Sequence, residues 1–190
     1  MTYGPTSPNP MPPVTRNWAM SALILSILTL LLTLPNLFQV KTTILLMGSK
    51  APLYMCSMIV SLLTTIAFIT TSAATLQGRT WGREGLSYTA LMAILVTIFG
   101  CVLTWTTIND PHYMTAMMTM MAARQPNGGL PPSAMQGMVT MIVKGTLWAA
   151  GIMGAVQIVY CGLLYKHMSA EPELPEIAYD PSSRPPAPQG

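Results

Sequence analysis

Four long apolar runs separated by short polar breaks dominate the chain, at residues 18–40, 53–76, 86–108 and 138–165. A helix needs about 20 mostly apolar residues to cross the hydrocarbon core of a bilayer, and each run has that length. None shows the strict alternation of a barrel strand, so the pattern predicts helices. In lipid the backbone polar groups must be satisfied within the segment, which a helix achieves by itself. The expected fold is all-α: an integral membrane four-helix transmembrane bundle over residues 17–166, with a short Met-rich interfacial helix between spans three and four. The first run follows a polar tail, is too long for the core of a signal peptide and has no small-x-small site behind it, so it reads as a retained span.

The segment between the third and fourth runs carries its own helix signals. Asp110-Pro111 pairs an N-cap residue with a first-turn proline, and Pro126-Asn127-Gly128-Gly129 is a stop. The spacing predicts a helix over 111–124. Met114, Met117, Met118 and Met121 fall on one face of it at i, i+3, i+4 and i+7. With no charge between Asp110 and Arg124, this helix is expected to lie in the interface or to cover the bundle end. Residues 1–16 and 167–190, rich in Pro, Ser and Glu, cannot bury a core and are expected as disordered tails.

Composition sharpens this picture mainly by exclusion. Only 8% of residues are charged and 51% are hydrophobic, whereas soluble domains carry about 25% charge. Nine Lys and Arg scattered along the chain make no basic patch, so nucleic acid is not an expected partner. With four spans both termini share one face. Arg16, Arg79, Arg83 and Lys166 lie on that face, and Lys41, Lys50 and Arg124 on the other. This weak bias favours cytoplasmic termini, in a plasma or inner membrane. Cys56, Cys101 and Cys161 all fall within spans, without a CxxC pair, and read as small hydrophobes.

Residues able to carry chemistry are few. Lys144 sits about two turns inside the fourth run, where a charge is costly. Asp110 and Asn36 stand at a similar depth, so Asn36, Asp110 and Lys144 are expected as one polar cluster; the plainer alternative is that Lys144 extends its ammonium to the headgroups. The Met stripe with His112 offers soft ligands for copper(I), although apolar filling is the common use of methionine. In the fourth run Lys144, Trp148, Gly151 and Ala155 form one stripe, and Ala150, Gly154, Gln157 and Cys161 a second. Small residues let helix backbones approach and Gln can bond across helices, so Gly151, Gly154, Ala155 and Gln157 are expected as helix-packing positions, one face inward and one toward a partner.

No span holds a His for haem or an Asp or Glu at mid-depth, and no HExxH, GxSxG or P-loop is present. The loop motifs of tetraspanins and claudins and the first-span glutamate of small multidrug transporters are also missing. The expectation is a non-catalytic scaffold or accessory subunit, without a cofactor. Its partners are the lipid bilayer and other membrane subunits or further copies of itself. The alternatives are a small transporter or channel with a Thr/Ser-lined path near Lys144, and a copper-handling protein.

Overall fold

The computed structural model describes residues 12–123 and 131–170, apart from the side chains of Asn36, Leu37, Thr80 and Pro132. Nearly all of these residues are helical, with no strand among them. The elements are α1 (Pro13–Leu37), α2 (Val40–Met47), a 3₁₀ turn (Gly48–Lys50), α3 (Ala51–Leu76), α4 (Thr80–Ile108), α5 (Pro111–Ala123) and α6 (Pro132–Ser169). Four segments are long and apolar enough to cross a membrane: Pro13–Pro35, Val40–Leu76, Trp81–Ile108 and Ser133–Ser169. The chain is a multi-pass membrane protein built as a four-helix bundle.

The helices outrun the apolar pattern. α1 starts at Pro13 and α6 runs from Pro132 to Ser169, so 13–16 and 167–169 are helical rather than tail. Proline is favoured at a first helical position, where its missing N–H would have no partner anyway. Lys166 and His167 lie in the last turn of α6, where cations complement the helix dipole. Helix α2 was not expected; it occupies a segment that the pattern left as a connection. The Met-rich helix α5 forms as expected at Pro111–Ala123. The termination signal at 126–129 and the tails at 1–11 and 171–190 lie outside the described residues.

Local chemistry sets the turns. After α3, Gly78 adopts φ 74°, Arg79 N–H donates to the Ala74 carbonyl and Gly78 N–H to that of Thr75. This is the paired-bond glycine stop that satisfies the last carbonyls of a helix. The chain re-enters at once as α4. A Cβ on Gly82 would fall 2.4 Å from the Thr75 backbone nitrogen, so only glycine allows this crossing. At the opposite end α2 and α5 form a cap beside the ends of α4 and α6.

The long helices pack in chain order, α1 on α3, α3 on α4 and α4 on α6, while α1 and α6 meet only weakly. One apolar core sits at the tail end. It includes Leu86 and Leu164 packed among Ala19, Ala22, Ala90 and Ala93, whose small side chains let the backbones approach. The second core, at the loop end, is Ile108, Val139 and Val143. Trp18 stacks on His167 with ring centroids 5.1 Å apart, so the start of α1 and the end of α6 share one end of the bundle.

Candidate functional site

Asp110 anchors the loop end, but with a different partner from the one expected. Its Oδ1 accepts the backbone N–H of His112 at 3.0 Å, capping α5. Its Oδ2 lies 2.9 Å from Lys50 Nζ. The same ammonium donates to the Thr106 carbonyl at 2.8 Å, in the last turn of α4. One lysine therefore caps the C-terminus of one helix while its carboxylate partner caps the N-terminus of the next. The Lys50 hydrogen bond, reinforced by that of His112, holds the Asp110 carboxyl below the usual carboxylate range.

Lys144 is not part of this pair. Its side chain is exposed, and the Lys50–Asp110 ion pair is the only one among the described residues. The neighbouring Val143 packs in the cluster containing Ile108, the last residue of α4. Lys144 thus stands toward the loop end of the bundle, level with the end of α4, because α6 begins earlier than its apolar run. The Asn36 side chain lies outside the described residues. The expected three-residue cluster is replaced by Lys50, Asp110 and the Thr106 carbonyl.

The Met stripe faces inward. Met114, Met117, Met118 and Met121 all pack, partly buried, on Ile108, Val139 and Val143. His112 points away from them: its imidazole lies over Gly48, where a Cβ would come within 2.7 Å of it. His112 and Met121 stand about 180° apart at ~100° per residue, so the structure does not bring imidazole and thioethers together. Gly48, at φ 53°, is the residue that both the turn and the overlying ring require.

The two stripes of α6 have separate destinations. A Cβ on Gly154 would lie 2.7 Å from Cys101 Sγ, so this glycine forms the close contact with α4. A Cβ on Gly151 or Gly162 would meet nothing within 4 Å among the described residues, and Ala155 between them is exposed. Gln157, with Ala150, Gly154 and Cys161 of the same stripe, lines an opening between α6 and α1.

That opening is a cleft of two joined lobes. The tail-side lobe, about 460 Å³, is lined from α1, α3, α4 and α6, among them Ser26, Thr29, Phe68 and Tyr160. The loop-side lobe, about 350 Å³, includes Tyr54, Ser57, Thr104 and Ala150. Thr33, Ser61, Val96, Met153 and Gln157 line both. The cleft is closed at its tail end, where Tyr160 shares a 2.9 Å hydrogen bond with Ser21 and packs at 5.8 Å from Trp18. The concentration of Ser and Thr in the second span and the polar Gln157 were legible in the sequence. Lys50 and the Trp18–Tyr160–His167 contact were not, since each joins residues far apart in the chain.

No protein family, curated protein or solved structure matches the chain. Among the described residues no three His, Cys, Asp or Glu come together as a metal site. The arrangement offers helix faces, an ion-pair clamp and a hydroxyl-lined cleft.

Proposed function

We propose that the protein is a non-catalytic accessory subunit or scaffold that works through helix–helix contacts in a larger membrane assembly, with α6 as its contact helix. The observation that carries this reading is the division of labour on α6. Gly154 is used against α4, whereas Gly151, Ala155 and Gly162 share a second face, where a Cβ added at either glycine would meet nothing within 4 Å among the described residues. In lipid there is no hydrophobic drive to bring helices together. Association relies on close packing of backbones, which small residues permit. Replacing Gly151 or Gly162 by Leu would hold a partner helix away and leave the chain's own packing intact. Native gels of detergent-extracted protein should then show loss of the assembled state with an unchanged thermal melt. Wild-type assembly in both variants would remove α6 as the contact helix.

A second reading, a small transporter or channel, draws on the continuity of the two cleft lobes. Its path would run along Ser61, Thr33 and Gln157 rather than past Lys144, which is not among the lining residues. It also requires the Trp18–Tyr160 contact to open. Solute flux in vesicles that rises when Tyr160 is replaced by Ala would favour this reading over the first.

A further inference from the structure

We propose that the cleft between α1 and α6 binds one neutral, single-chain lipid, with its uncharged hydroxyl- or carbonyl-bearing head in the loop-side lobe and its hydrocarbon chain in the tail-side lobe. The site is separate from the outer face of α6, and the two ideas stand or fall independently.

Size selects the occupant first. Lobes of about 460 and 350 Å³ lie within the range of about 300–1,000 Å³ typical of small-molecule sites. Along α3 the lining runs from Tyr54 to Phe68, about 21 Å at ~1.5 Å per residue. A single hydrocarbon chain fits such a cleft, which is long enough to take it through more than half of a hydrocarbon core about 30 Å thick.

Polarity then sets its direction. Deep in the tail-side lobe the hydroxyls are already spent: Ser26 donates to the Ala22 carbonyl, Thr29 to Leu25 and Thr65 to Ser61. These side chains turn their carbon atoms to the occupant, as hydrocarbon requires. Toward the loop side this changes. Ser57 and Thr104, in the loop-side lobe alone, and Ser61 and Gln157, where the lobes join, have no side-chain hydrogen bond among the described residues. An unsatisfied amide inside a bilayer is costly, and a head with a hydroxyl or carbonyl group would satisfy it.

Charge sets the class. Every described residue lining either lobe is uncharged. A phosphate or carboxylate placed there would lose its water with no cation to replace it. Access is lateral, since α1 and α6 meet only weakly and their aromatic contact lies at the tail end.

The test uses the full chain in nanodiscs with a monoacylglycerol carrying a diazirine on its acyl chain, and the lysophosphatidylglycerol of the same chain as the charged counterpart. After photolysis, adducts are mapped by peptide mass spectrometry. The expected result is that the monoacylglycerol labels 22–33 of α1 and 153–161 of α6, is competed by unlabelled monoacylglycerol, and exceeds the charged probe there. Gln157→Leu should lower cleft labelling about fivefold, the equivalent of about 1 kcal/mol for one intramembrane hydrogen bond. Thr29→Phe, at an exposed position, should lower it by filling the tail-side lobe, so either variant that melts as wild type suffices. Adducts spread evenly over outward residues such as Leu91 and Val102 would overturn the proposal. So would equal cleft labelling by the charged probe, or wild-type labelling in folded variants.

Discussion

Lys50 lies 2.9 Å from Asp110, a pairing that ties the start of α3 to the junction of α4 and α5. The pair couples three helix ends, because Lys50 also holds a carbonyl of α4 and Asp110 an amide of α5. The energetic partner of Asp110 is therefore Lys50. In thermal melts of single and double variants, Lys50→Met and Asp110→Asn should be non-additive, while Lys144→Met and Asp110→Asn should add. Asp110→Ala should melt below Asp110→Asn, since Asn keeps the cap. The sign with pH follows from the depressed carboxyl. Its contribution is present in full above the unfolded-state value of about 3.9 and is lost as pH falls through the lower folded value. The wild type should lose stability in that acid window and Asp110→Asn should not.

The glycines of α4 and α6 separate close contact from open face. Gly82→Ala sets a Cβ against the Thr75 backbone, which cannot swing aside, and should cost at least the 1–3 kcal/mol typical of overpacking. Gly154→Ala meets the Cys101 thiol and should cost less. Gly100→Ala enters open space and should stabilise the helix by about 0.5–1 kcal/mol. Unfolding in mixed detergent would rank the three.

Met117 and Met121 pack against Ile108 of α4 and Val139 and Val143 of α6. Changing both to Leu keeps the volume and should alter stability by less than about 1.5 kcal/mol. Copper(I) titration against a chromogenic chelator should give the same curve for the wild type and the double variant. A difference that requires the methionines would reinstate the copper reading.

Tyr160 and Ser21 join α1 to α6 at a 2.9 Å hydrogen bond. Tyr160→Phe and Ser21→Ala should each cost about 0.6 kcal/mol, the average for such bonds in membranes, and the double variant no more than either alone. Tyr160→Ala, which also removes the packing on Trp18, should cost more and let α1 move from α6. A pair of spin labels on the two helices would report the separation.

The membrane class, the four spans and the capped Met-rich helix were all legible without coordinates. Lipid imposes a local requirement, about 20 apolar residues and a self-satisfied backbone, and an Asp-Pro start is read within a single turn. Helix ends were less legible. Pro13–Arg16, Pro132–Gly137 and His167–Ser169 extend past the apolar runs, where hydropathy no longer marks the helix.

The sequence by itself thus determined what the bilayer dictates: an all-α, multi-pass chain whose spans, and one interfacial helix, can be counted from apolar length and caps. Only the tertiary structure decided that Asp110 meets Lys50 rather than Lys144, that Gly154 and not Gly151 packs inward, and that α1 and α6 leave a cleft between them. The reason is physical. Inside a membrane the lipid-facing and protein-facing sides of a helix are both apolar, so hydropathy does not tell them apart. Which residues meet depends instead on the depth, rotation and tilt that four helices adopt together.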